Sequence, residues 1–201
     1  MRSKRIFTID PLTARDLDDA LSIEKINDSI FEIGVHIADV SYFVQQGSDL
    51  DKEALKRGTS TYFVHKVWPM LPRLLCEKLC SLNPNVERLT YSIFFRMDLS
   101  NGSLLEDFEP RIERSVINSC SKLSYDVVQQ ILDGKITSVE SLSKDMKPKD
   151  HDFLDLAGDL LLMNMIAQAR RKRRFEAGCV EFQNREFYFT LNEMTGYPLK
   201  F

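Results

Sequence analysis

Apolar and polar positions alternate through Phe31, Ile33, Val35 and Ile37, which predicts a strand with these four side chains on one face. The run before it, ALSIEKI, has the same character, and the NDS between them predicts a hairpin. RIFTI (5–9) is β-prone and is stopped by Pro11, so the residues that follow lie on a loop leaving a strand. A second alternation over Tyr91, Ile93, Phe95, Met97 and Leu99 turns at SNGS and returns through LLEDFEPRI. Elsewhere the spacing becomes helical. Ser48 and Gly58 bracket a capped helix, RLLCEKLCSL is a short amphipathic helix, and Ser124 and Gly134 bracket YDVVQQILD. A long helix runs from about 151 to 175 with Leu154, Ala157, Leu161 and Met165 as its apolar stripe. Residues 135–150 are polar and aperiodic, a surface loop. TSTYFVHKVWPMLP is non-helical, and the last residues form a strand with Phe187, Phe189 and Leu191 on one side, then a Thr195-Gly196 turn. The fold class expected is α+β: a largely antiparallel twisted sheet with packed helices.

Composition narrows this further. At 201 residues, 43% hydrophobic and 28% charged, the chain suits one globular domain. A net charge of −3 is not the basic footprint of a stand-alone nucleic-acid binder, so any nucleic acid must be held by a local patch or by other domains. Cys76, Cys80, Cys120 and Cys179 form no Cys-x-x-Cys, and His65 alone does not complete a zinc site. They read as buried free thiols. MRSKRIF lacks the apolar core of a signal peptide, and no apolar run is long enough for a membrane span. The expectation is a cytosolic or nuclear protein.

The chemistry concentrates in TIDPLTARDLDDALSI, where Asp10, Asp16, Asp18 and Asp19 fall within ten residues with only Arg15 among them. An acidic turn that caps its own backbone is the ordinary reading of such a loop. Against it, D-P-x-x-x-x-D-x-D-D gathers charge that repels unless a cation sits among it. Mg²⁺ or Mn²⁺, which take oxygen ligands and keep open positions, suits this set. The EF-hand pattern fails for want of its central glycine and final glutamate. Two ions roughly 4 Å apart would stabilise the attacking water and the leaving oxygen of an in-line displacement. Spacing alone reaches metal-dependent phosphoryl transfer.

TIDPLTARDLDDALSI, GVHIADVSYFV, GSDLDKEALKRGTSTYFVHKVWPMLPRLLCEKLCSLNP and SCSKLSYDVV together resemble the RNB catalytic domain of the ribonuclease II and ribonuclease R family, N-terminal part only. The PMLPRLLCEKLCSLNP wording is similar to the eukaryotic exosome-independent branch, which acts on 3′-uridylated RNA in the cytoplasm. The resemblance implies a Mg²⁺-dependent 3′-to-5′ exoribonuclease that releases nucleoside 5′-monophosphates from single-stranded RNA, with no membrane and no stable protein partner. It assigns the four family aspartates to Asp10, Asp16, Asp18 and Asp19, with Asp18 the one whose loss abolishes cleavage. It places Tyr62 as a base-stacking residue and Tyr125 at the RNA 3′ terminus. In the family the domain continues past Phe201 with an arginine-rich segment, flanked by OB-type domains. The chain by itself is therefore expected to be weak or inactive and to expose an apolar face. The alternative is a catalytically silent RNA- or protein-binding relative, and a calcium-binding structural loop is a remoter one.

Other residues carry two readings each. His36 and Asp39 either support the metal loop or are satisfied core groups. The basic run Arg170, Arg171, Lys172, Arg173 and Arg174 either lines an RNA path or answers the helix dipole. Trp68 reads as a packing residue.

Overall fold

Strand Phe7–Asp10 (β1) is followed by the hairpin Asp19–Lys25 (β2) and Ile30–Ala38 (β3), turned by Asn27, whose Oδ1 accepts from the Ser29 and Ile30 N–H groups. A computed structural model describes residues 1–63, 66–182, 190–192, 195 and 197–200. Helices Val40–Phe43 (α1) and Asp49–Arg57 (α2) come next, then the short strands Thr61–Tyr62 (β4) and Val67–Trp68 (β5). Strands Glu87–Asp98 (β6), Arg111–Asn118 (β7) and Ser121–Ser124 (β8) lead to helices Tyr125–Leu132 (α3) and Phe153–Glu176 (α4). Thr190–Leu191 (β9) and Pro198–Lys200 (β10) form a separate antiparallel pair.

The main sheet has the order β7-β6-β3-β2-β1-β8, antiparallel except for β1 against β8. Its two edges belong to strands joined by Ser119 and Cys120 alone. Three peptide units reach about 11 Å, whereas the edges of a flat six-stranded sheet lie about 24 Å apart. The sheet must therefore curl until its edges nearly meet, in the direction its twist favours.

Helices α3 and α4 cover one face, burying Phe7, Leu123, Ile131, Leu156 and Leu160, with Ile33, Met97 and Ile166 further along. Arg5 clamps α4 to the start of β1 with two bonds to the buried Asp159 carboxylate, 2.5 and 3.0 Å. A second cluster, Ile6, Leu17, Ala20, Leu82 and Ile117, lies under the acidic loop.

The expected α+β class, the β2–β3 hairpin and the caps at Ser48 and Ser124 are present. Several expectations are corrected. Of the stripe expected on α4, Ala157 packs against the core but Leu154, Leu161 and Met165 are exposed, while Phe153, Leu156, Leu160 and Ile166 are buried. Both sets have helical spacing, and Asp159, bonded to Arg5, lies on the side that turns in. In β3, Ile37 is exposed and the opposite face, with Glu32, Gly34 and His36, is also buried. The chain returns from SNGS with Leu104 bridged antiparallel to Met97, leaves the sheet, and resumes as a continuous strand at Arg111. RLLCEKLCSL forms a π-helical turn, Leu74–Leu79, closed by Cys80 N–H on the Leu75 carbonyl. The 135–150 segment is no mere surface loop, since Leu142 and Met146 enter the core. Of the thiols, Cys80 and Cys120 are buried, Cys76 half-buried and Cys179 exposed, all unpaired. Phe187, Phe189, Gly196 and His65 lie outside the described residues. An apolar groove of about 480 Å³ lies between the sheet and α4, lined by Ile33, Phe95, Met97, Leu104, Met163 and Ala167.

Candidate functional site

The acidic loop is built from β1 outward. Pro11 ends the strand at Asp10, and a turn closes with Ala14 N–H on the Pro11 carbonyl at 2.9 Å. Leu17 is fully buried and anchors the loop. Its N–H donates to Ser81 Oγ at 3.0 Å, its carbonyl accepts from Leu82 N–H at 2.8 Å, and Ser81 Oγ donates to the Arg15 carbonyl at 3.1 Å. With Leu17 turned in, Asp16 and Asp18 keep contact with solvent. Asp19 opens β2 across from Ile37, and the Asp18 carbonyl accepts from Ala38 N–H.

These carboxylates disturb one another. Burial lifts the Asp10 carboxyl above its ordinary range, Asp19 and Asp18 lift it further, and the nearby Thr8 hydroxyl and Lys122 pull it down. Partial desolvation, Asp16 and Asp19 lift Asp18. Asp10 Oδ2 is buried with the Thr8 hydroxyl near it, and neither atom has a well-formed hydrogen bond. An acceptor in that position carries a desolvation cost that a bound cation would offset. The four carboxylates thus fit a hard divalent cation by donor type and by this buried oxygen. That fit is one of chemistry and not of finished geometry: among the described residues no three His, Cys, Asp or Glu side chains are placed to hold a metal ion together.

Both tyrosines come to the same end of β1. Asp10 is in register with Ser124 across the parallel β1–β8 ladder, and Ser124 Oγ caps α3 by accepting from Val127 N–H. Tyr125, the next residue, starts that helix with 59% of its surface exposed. Tyr62 is 69% exposed on β4, and its phenol is pushed up by burial and by the charges of Asp16 and Asp18. Six residues from three separate stretches of the chain, the acidic loop, Tyr62 and Tyr125, therefore share one region.

Other candidates do not join it. His36 is a satisfied core histidine, bonded to Ser22 Oγ at 2.9 Å and Ser92 Oγ at 2.7 Å. Asp39 caps α1, accepting from Ser41 Oγ and Tyr42 N–H, and lies 3.4 Å from Arg114. The basic run ends α4 beside the β6–β7 turn, where Arg170 donates to the Gly102 carbonyl. Register puts that turn at the opposite end of the sheet: Asp98 pairs with Ile30, whereas Thr90 pairs with Ala38 beside the acidic loop. The run therefore belongs to the helix terminus, not to a path at the carboxylates. Trp68 is corrected from packing residue to surface residue, at 54% exposure. Sequence reasoning missed Lys122, which reaches the loop through the Ala14 carbonyl at 2.6 Å, and Ser81. The β1–β8 pairing brings Lys122 there, and nothing local in the sequence announces it.

Comparison with known proteins adds an independent line. Residues 1–200 match the family model of the RNB domain. DIS3-like exonuclease 2 of Xenopus tropicalis is 46% identical over 198 residues, covering 98% of this chain and 23% of that protein. A protein of Arabidopsis thaliana named inactive exonuclease DIS3L2 is 38% identical over 204 residues, covering 100% of this chain and 18% of its own length. RNase R of Mycoplasma genitalium, solved in complex with ribose-methylated single-stranded RNA, is similar with a TM-score of 0.85 and 27% identity, over 100% of this chain and 28% of that one.

Proposed function

The chain belongs to the RNB family, and from that premise we propose that it is the N-terminal portion of an RNB catalytic domain carrying the carboxylate site of a 3′-to-5′ exoribonuclease. The observation that carries the reading is the gathering of Asp10, Asp16, Asp18, Asp19, Tyr62 and Tyr125 at one end of β1, with Asp10 Oδ2 buried and without a well-formed hydrogen bond. In this reading the four aspartates hold Mg²⁺, or Mn²⁺ in its place. A bound divalent cation supplies Lewis-acid polarisation of the phosphoryl group and a more acidic water.

The chain's own residues do the positioning. Leu17 and Ser81 hold Asp16 and Asp18 outward, and Lys122 limits repulsion around Asp10. Tyr62 stacks on a base near the scissile phosphate, and Tyr125 holds the 3′ terminus. Water attacks the last phosphodiester, the P–O3′ bond breaks, and the products are a nucleoside 5′-monophosphate and an RNA one nucleotide shorter. The substrate proposed is single-stranded RNA, the polymer class bound in the similar RNase R of Mycoplasma genitalium; its 3′-uridylation and cytoplasmic location rest on the resemblance of PMLPRLLCEKLCSLNP alone. Because the chain spans 23% of the Xenopus protein's length, it is expected to be weak or inactive by itself.

The test places residues 1–200 in the matching segment of the Xenopus tropicalis relative and follows a 5′-labelled RNA with an oligouridine tail. Shortening from the 3′ end with Mg²⁺, lost in EDTA and reduced about a thousandfold by Asp18→Asn, is expected. RNA bound but uncut by this chimera overturns the hydrolytic reading in favour of a silent binder, the kind of relative that the inactive Arabidopsis protein is named for.

A further inference from the structure

The β4–β5 hairpin has a second face that the carboxylate site does not use. Tyr62 pairs with Val67 and Thr61 with Trp68, so the pleat puts Tyr62 and Trp68 on opposite faces. The Tyr62 phenol lies within electrostatic reach of Asp16 and Asp18. The other face holds the chain's one tryptophan, 54% exposed, with Lys66 Nζ 4.1 Å from the ring centroid. The hairpin is braced: Arg57 donates to the Pro69 carbonyl at 2.9 Å, Arg73 to the Val67 carbonyl at 3.1 Å, and Met70 N–H to Ser60 Oγ at 3.1 Å. Both arginines are also paired, with Glu53 and Glu77. Lys66 pairs with no carboxylate among the described residues, and its contact is the indole.

An indole exposed on a braced hairpin with an ammonium on one side offers its remaining face to a stacked base and its cation to the adjoining phosphate. A duplex, whose bases are already stacked, offers no such face. Resting on the reading that RNA enters at the carboxylates, we propose that Trp68 and Lys66 form a second stacking position for single-stranded RNA, on the face of the hairpin opposite Tyr62. The position is tolerant of base identity, since every base has a π-face and no edge is read. It extends the track of bound RNA beyond the nucleotides that Tyr62 and Tyr125 hold.

Because Trp68 is the only tryptophan, its fluorescence in the unmodified chain reports on this position alone. Titration with a short oligouridine in EDTA, which prevents hydrolysis, is expected to quench it saturably, with a blunt duplex of equal length far less effective. In anisotropy with labelled RNA, Trp68→Leu is expected to weaken binding about tenfold, Trp68→Phe to retain most of the affinity, and Lys66→Gln to reduce the salt dependence. Circular dichroism establishes that each variant is folded.

The proposal is overturned by unquenched emission while anisotropy reports bound RNA, by Trp68→Leu binding as the parent does, or by no RNA binding in either readout. Emission shifted to the blue with rising protein concentration also overturns it, because a second copy then covers the indole. Failure here is distinguishable from failure of the hydrolytic reading. A cleaving chimera with unquenched Trp68 in the parent chain rejects the platform alone, and a quenched Trp68 beside a non-cleaving chimera rejects hydrolysis alone.

Discussion

Asp19 faces Ile37 across the β2–β3 hairpin, and one rung further Ala20 faces His36, so the carboxylate region and the His36 cluster are immediate neighbours of opposite construction. Around His36 each polar group is answered. Ser22 and Ser92 take the two ring nitrogens, and Ser115 and Thr90 continue the chain at 2.6 and 2.8 Å. Gly34 makes room for it, since a Cβ there would stand 2.4 Å from Ser22 Oγ. Burial, with Lys4 and the N-terminal amine nearby, lowers the His36 ring from 6.5 to about 4 and keeps it neutral. Around Asp10 and Asp18 the charges are crowded, desolvated and in part without well-formed hydrogen bonds. Buried polar groups that are satisfied specify a core, whereas crowded, perturbed carboxylates are candidates for binding.

The contrast is breakable. His36→Ala strands the hydroxyls of Ser22 and Ser92 in a small void, which is expected to cost about 3 to 5 kcal/mol in urea unfolding. Divalent-ion affinity should be unchanged. Loss of ion binding with stability intact would instead make the histidine part of the site.

Acid sharpens the contrast somewhat less. A depressed histidine stabilises fully above its unfolded pKa, so the contribution of His36 is complete above about pH 6.5 and drains toward pH 4, where about 3 kcal/mol is gone. Asp10 and Asp18, raised in the fold, act with the opposite sign: their contribution is present at low pH and lost as pH rises through their folded values. Replacing His36 by glutamine should therefore remove the downward slope between pH 6.5 and pH 4, read from unfolding midpoints across that interval.

The carboxylate region was legible because its charges are adjacent in sequence, and the Ser124 cap predicted the helix on which Tyr125 stands. The assignments of Tyr62 and Tyr125 came from family resemblance, since neither residue differs locally from an ordinary surface aromatic. Other features depended on partners distant in the chain. The serines that satisfy His36 come from β2 and β6, and Lys122 reaches the loop only through the parallel β1–β8 ladder. Helix α4 has apolar residues on two sides, so periodicity could not choose between Leu154–Leu161–Met165 and Phe153–Leu156–Leu160. The curl of the sheet follows from a two-residue link whose meaning appears only once the strand order is known.

Thermal unfolding of this chain with Mg²⁺ or Mn²⁺ titrated in, beside Asp10→Asn, tests the central claim that the carboxylate region is held ready for a cation. Without metal, Asp10→Asn should melt at or above the parent, because a crowded charge has been removed. Metal should raise the parent's midpoint saturably, by an amount equivalent to about 2.7 kcal/mol at a hundred times the dissociation constant, and should scarcely move the variant. A parent whose midpoint ignores the ions, or a variant that gains as much as the parent, would show the acidic loop to be a solvated turn.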